Sequence, residues 1–244
     1  MKHSQDWLNH FLVNSKISRV NWNQIPRLSA QERTSLLASI QAWQLGETSD
    51  GEHLLKAALK YSKKINDPIY PSVVRLFIKE EQKHGNNLGL YLDLLGEERL
   101  THNWGDSLFR LVRYAFGSMG IWTASVLIVE SIAQLFFQCL KDATSCPLLK
   151  EICTDVLIDE AHHIQFQLER MIIIFNSKSR FHRLVFPWFY KLLFHLTVPV
   201  VWFAHSPVFV AGGLDYKAYV QRMNHKYDKT FGRLNLESLT KWAS

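Results

Sequence analysis

Between Ile121 and Phe137 the chain runs through seventeen residues that carry a single charge, Glu130. A helix that is apolar around its whole circumference belongs in the middle of a packed body. An ionised carboxylate placed there costs several kcal/mol unless a positive group faces it or its pKa moves. Any fold this chain adopts must bury that segment and give its one acid a partner.

The rest of the sequence reads as helix around it. With 244 residues, 47% of them hydrophobic, the chain can bury a sizeable core, and 11 Gly and 7 Pro suit long elements with short connections. Ser29-Ala-Gln-Glu32 has the capping-box pattern, opening a helix expected to run to about Lys64. Asp67-Pro68 opens a second, expected to end near Leu95 before Gly96. A third is expected from about residue 118 to Leu140, and Ser145-Cys-Pro147 opens a fourth to about Phe175. The link from Gly96 to Gly117, with a short helix expected over Asp106–Phe116, is long enough to travel the length of a bundle. The expected fold is all-α: a four-helix bundle with one long crossover between helices two and three, over residues 29–176. Helical extensions flank it at 1–28 and 177–244.

On the second helix Phe77, Glu81, His84, Leu88, Tyr91 and Leu95 recur at alternating spacings of four and three. They form one inward seam in which two residues are polar. Glu81 and His84 belong to a Glu-x-x-His motif, and Glu160-Ala-His-His163 is a second. With 12 Glu and 11 His in the chain, one such spacing would carry little weight. Two of them, each central in a strong helix, carry more. A spacing of three puts carboxylate and imidazole on one helical face, a donor pair suited to Fe, Mn or Zn. Glu47 and Glu130 lie midway along the other two expected helices. Four carboxylates around two divalent cations sum to zero charge, which gives Glu130 a reason to be buried. Glu80 and Asp159 each precede a motif, and an acid there can accept the N–H of the opposite helix's histidine. Asp159 is expected to pair with His84, and Glu80 with His163.

This order of motifs resembles the ferritin-like di-iron carboxylate superfamily, with its Glu…Glu-x-x-His…Glu…Glu-x-x-His arrangement over roughly residues 30–175. That superfamily includes ferritins, rubrerythrins, ribonucleotide reductase small subunits, acyl desaturases and arylamine N-oxygenases. On the first helix Glu47 and Glu52 compete; Gly46-Glu47-Thr-Ser resembles a rubrerythrin-like Gly-Glu-Ser pattern and favours Glu47. The resemblance implies two metal ions per chain, Fe in the first place, with Mn or mixed Mn/Fe as alternatives. Their ligands would be Glu47, Glu81, His84, Glu130, Glu160 and His163. It implies an O2-dependent oxidoreductase acting on a small or lipid-like organic substrate, with a reductase as electron source. The alternative is a ferritin-like protein that oxidises iron without an organic substrate. His162 is expected on another face than His163. Tyr61, Tyr91 and Tyr114 are expected to pack, not to carry a radical.

The net charge of +6 is local. From residue 176 to residue 233 there are nine Lys/Arg and two Asp/Glu. Leu192–Leu214 contains no charged side chain at all, but it contains Pro199, Pro207, His195 and His205. Packing against the bundle or against a second subunit of a homodimer is the leading expectation for this part. An in-plane membrane contact over 178–214 comes next, and spanning last. The cations are diluted among large apolar residues, which disfavours nucleic acid. The N-terminal residues have no uninterrupted apolar run, and Cys139, Cys146 and Cys153 show no Cys-x-x-Cys pattern. A cytoplasmic protein with reduced thiols, peripheral to the inner membrane face if it touches lipid, is the expectation.

Overall fold

The computed structural model describes residues 2–105, 107 and 118–240, with side chains described as far as residue 231. The described residues are helical, with no strand among them. In chain order the helices are α1 (Ser4–Asn14), α2 (Ala30–Glu47), α3 (Glu52–Ile65), α4 (Tyr70–Leu94), α5 (Met119–Ala143), α6 (Pro147–Asn176), α7 (Arg180–Ala211) and α8 (Tyr216–Thr240). Helices α2, α4, α5 and α6 form the bundle. Helix α1 packs on α4, and α7 lies across α5 and α2. The short helix expected over Asp106–Phe116, and Tyr114 with it, lies outside the described residues.

The capping box at the start of α2 is present. Ser29 Oγ accepts from the Glu32 amide at 3.2 Å, and Glu32 Oε2 accepts from the Ser29 amide at 2.7 Å. The other Glu32 oxygen accepts from the Ser145 amide at 2.5 Å, so one carboxylate ties the start of α2 to the α5–α6 turn. Burial would raise this carboxyl, but the Ser145 and Ser29 amides hold it at about 2. At the next helix Asp67 caps as expected, accepting from the Tyr70 amide at 3.2 Å, although α4 begins at Tyr70 and not beside Pro68.

The single helix expected from Ser29 to Lys64 is not what forms. It breaks over Thr48–Gly51, and Glu47 is the last residue of α2 instead of a mid-helix position. Gly51 takes a left-handed φ of 66°, and a Cβ there would stand 2.6 Å from the Ile78 side chain. Both conditions select glycine. Thr-Ser-Asp-Gly is turn chemistry, and it wins locally over the apolar periodicity on either side of it.

Two apolar clusters fill the bundle, one on each side of the Glu/His layer. On α4, Glu81 and His84 fall between Phe77 of one cluster and Leu88 of the other. On α6, Glu160 and His163 fall between Val156 and Phe166, and on α2–α3 Glu47 falls between Ile40 and Leu54. The acids and imidazoles therefore share one depth. Cys139, Cys146 and Cys153 are buried free thiols among the apolar residues.

Helix α7 continues through Pro187, Pro199 and Pro207. Each proline removes one helical hydrogen bond. Packing compensates: Tyr190, Phe194, Val198 and Val201 are buried, the Tyr190 hydroxyl donates to the Ala124 carbonyl at 2.7 Å, and the Tyr219 hydroxyl donates to the Val198 carbonyl at 3.0 Å. One face of the C-terminal part thus packs on the bundle.

Candidate metal centre

The Glu-x-x-His spacing turns both residues of each motif to the same side of its helix. Helices α4 and α6 face each other, so the two motifs converge, while α5 brings Glu130 and the end of α2 brings Glu47. Two groups result. In one, ligand atoms of Glu81, Glu130, Glu160 and His163 all lie within 4.8 Å of one another; in the other, those of Glu47, Glu81 and His84 do. Glu81 belongs to both. Glu160 also faces both histidines: its Oε1 stands 3.8 Å from His84 Nδ1, and its Oε2 stands 3.7 Å from His163 Nδ1.

The rings are fixed from behind. His84 Nε2 meets Asp159 Oδ2 at 3.1 Å, and His163 Nε2 meets Glu80 Oε2 at 2.9 Å. Carboxylates at both Nε2 atoms hold the N–H of each ring there and turn each Nδ1 into the cluster. Three side chains then hold the two acids. Asn14 Nδ2 donates to Glu80 Oε1 and to Asp159 Oδ1, both at 2.8 Å. Lys83 Nζ donates to Asp159 at 2.5 Å, and Arg19 donates to Asp155 at 2.7 Å and to Asp159 at 3.0 Å. Arg19 also donates to the Asn14 amide oxygen. Burial acts to raise the Asp159 carboxyl, but the His84 and Lys83 donors hold it well below the usual carboxylate range.

The inward atoms have no such partners. Glu81 Oε1, both Glu160 oxygens, His84 Nδ1 and His163 Nδ1 are buried and form no hydrogen bond. His163 Nδ1 and Glu81 Oε1 stand only 2.8 Å apart without making one. Orphaned buried acceptors are rare and call for a cause. Electrostatics gives the same picture. Burial, together with Glu81 and Glu160 nearby, pushes the Glu47 carboxyl well above its ordinary value. Burial and the same two neighbours do likewise at Glu130. Burial would also raise Glu81, but the facing His163 draws it down to about 2. Burial disfavours the His163 cation, yet the Glu81 charge outweighs it and raises the imidazole well above its ordinary value. Four acids crowd one spot with too few protein cations. Convergent carboxylate oxygens and imidazole nitrogens that make no hydrogen bond are a donor set that fits two divalent cations.

The six residues named from the sequence therefore stand in one cluster. Glu52 does not join them: it lies exposed on α3 and pairs with Lys56 at 3.1 Å. His162 turns away and its ring lies tilted against that of His10, centroids 4.3 Å apart. Tyr91 donates to the Arg27 carbonyl at 3.4 Å, and Tyr61 sits beside Tyr70. Sequence reasoning missed Asn14, Arg19 and Lys83. The only signal was the run Trp7, Phe11, Asn14, a helical stripe whose last member is polar.

A cavity of about 160 Å³ opens onto Glu47, Glu81 and Glu130. Trp43, Phe77, Trp122 and Val126 wall it, and from α7 so do Val201 and His205. Burial lowers the His205 imidazole to about 4, so it is neutral here, and its Nδ1 lies 3.0 Å from Ser39 Oγ.

No family model and no curated protein matches the sequence. Solved structures do match its fold. An R2-like ligand-binding oxidase variant with an aerobically reconstituted Mn/Fe cofactor superposes with a TM-score of 0.64 at 16% identity, over 94% of this chain and 93% of that one. A second variant, with an anaerobically reconstituted Mn/Fe cofactor, gives 0.62 at 18% identity over 92% of each chain. An R2-like ligand-binding oxidase without metal cofactor gives 0.61 at 19% identity, over 96% of this chain and 95% of that one. The chain thus has the all-helical, ferritin-like fold of these oxidases.

Proposed function

We propose that this chain is a dimetal carboxylate oxidase that uses O2 to oxidise an apolar organic molecule held in the cavity beside its metal centre. The observation that carries this reading is the pair of ligand groups sharing Glu81 at the wall of that cavity. Glu47, Glu81 and His84 would hold one ion, and Glu130, Glu160 and His163 the other, with Glu81 and Glu160 placed to reach both. Two redox-active ions, Fe or an Mn/Fe pair, would supply the electrons that reduce O2. The structural neighbours that carry Mn/Fe cofactors support this choice of metals.

The protein's own groups have defined tasks. Asp159 and Glu80 keep the Nε2–H of each imidazole occupied, so Nδ1 is the nitrogen left for a metal ion. Glu47 and Glu130 hold protons until a cation displaces them. Trp43, Phe77 and Trp122 line the approach and keep water from the reacting atoms. The apolar walls select a substrate without charge where it meets them.

The test is metal analysis of protein purified from iron-fed cells, followed by O2 uptake on exposing the reduced, loaded protein to air. Two metal atoms per chain, lost in Glu130→Ala, with O2 consumed by the wild type, is the expected result. A wild-type chain that binds less than one ion, or one whose reduced form takes up no O2, overturns the reading. The ferritin-like alternative would instead give a 24-subunit particle that accumulates oxidised iron without any organic product.

A further inference from the structure

Helix α7 has two unlike faces. Its inner face packs on α5 and α2, and Val201, Ala204 and His205 wall the cavity. Its outer face presents Phe181, Leu184, Trp188, Leu192, Leu196 and Phe203 to solvent, with Trp188 74% and Phe203 80% exposed. These six recur at steps of three, four, four, four and seven, so they form one stripe along the helix. From Phe181 to Phe203, at 1.5 Å per residue, the stripe runs for about 33 Å. A soluble monomer rarely leaves an apolar stripe of that length in water.

Charge decides what would cover it. No Asp or Glu occurs from Ser177 to Leu214, whereas Lys178, Arg180, Arg183 and Lys191 cluster towards the start of the helix. Lys178 and Lys191 are exposed. A second copy meeting this face would bring the same basic helix and no acid to answer it. An anionic lipid surface supplies both what the stripe lacks and what the lysines need. Spanning is excluded by the inner face. Its buried side chains and the Tyr190–Ala124 hydrogen bond fasten α7 to the bundle, and the Tyr219–Val198 hydrogen bond fastens it to α8.

We propose that α7 is a membrane-contact helix, lying in the plane of an anionic lipid surface with its outer stripe in the headgroup–acyl boundary. Phe203 adjoins Ala204, which walls the cavity. The leaflet would then stand one helix away from the centre, and apolar molecules dissolved in it would be the nearest supply of substrate.

The experiment is co-sedimentation of the full chain with phosphatidylcholine vesicles, with and without about 30% phosphatidylserine, at low and high salt. Binding to the anionic vesicles, weakened by salt, is the expected result. The double variant Trp188→Glu/Phe203→Glu should lower the partition constant by about tenfold or more with an unchanged melting temperature. If that variant does not fold, Lys178→Glu/Lys191→Glu serves in its place and should lower binding to the anionic vesicles alone. Absence of binding, or equal binding by wild type and variants, overturns the proposal. So does a concentration-dependent dimer in sedimentation velocity that Trp188→Glu/Phe203→Glu dissociates, since the stripe would then belong to a second copy.

Discussion

Asn14 donates from one carboxamide to the two acids that orient the two inward-facing histidines. Replacing it with Ala leaves Glu80 and Asp159 each short of one buried donor and frees both rings at once. Metal affinity should fall by about 10- to 100-fold, read by competition against a chromogenic chelator. The fall should affect both ions, whereas a change at Lys83 should act mainly on the His84 side. Protons give a second expectation. Glu47 and Glu130 are raised by burial and by the neighbouring acids, and His163 is raised by Glu81, so each holds a proton in the metal-free fold. Ligation expels those protons, so affinity should fall as pH falls. The sign for folding is opposite. A group raised above its unfolded value stabilises the fold below that value and loses the contribution as pH climbs through the folded one. The metal-free protein should therefore lose melting temperature as pH rises above the ordinary carboxylate range, while the loaded protein loses less. The Glu-x-x-His pairs were legible because helical spacing converts directly into shared direction. Asn14 was not, because no spacing rule links residue 14 to residues 80 and 159.

At the scale of elements, the starts of helices were easier to read than their interruptions. Ser29 and Glu32 announce α2 because the capping box is local chemistry. The same Glu32 also receives the Ser145 amide, a contact no local pattern reveals. Glu32→Ala should therefore cost about 1–3 kcal/mol, more than an ordinary cap. In a chain of this size that is about 2–4 °C per kcal/mol by thermal melting. The α2–α3 break went unread because apolar periodicity resumes in register after Gly51. Its placement matters to the site. Gly85 of α4 lies against the end of α2, where an added Cβ would stand 2.9 Å from Thr48 Cγ2 and 3.1 Å from the Glu47 carbonyl carbon. Gly85→Ala should push Glu47 outward and weaken the ion held with His84. Metal content should then drop from two towards one per chain. Unchanged stoichiometry and affinity in that variant would show that Glu47 is dispensable. The C-terminal part was expected to be helical, but the unbroken course of α7 through three prolines was not legible, since only tertiary packing maintains it.

For the whole molecule, the bundle was legible from composition, periodicity and the length of the crossover, and packing of the C-terminal part on it was the leading expectation, while the seating of α1 was not legible. Two apolar clusters meet across a layer of acids, so metal should act as the joint between them. Loading at 100 times the dissociation constant should stabilise the fold by about 2.7 kcal/mol per ion, measured as a rise in melting temperature. Equal melting of loaded and metal-free protein would argue against any such joint. The attachment of α1 has one more effect, on the order of assembly. Trp7 Nε1 donates to Glu169 at 2.9 Å and Asn14 to Asp159, across 162 and 145 residues of sequence. Closing loops of that size waits on the elements between them. Helix α1, synthesised before the bundle, thus cannot be seated until α6 has emerged, and the flank it covers stays open to solvent throughout that interval.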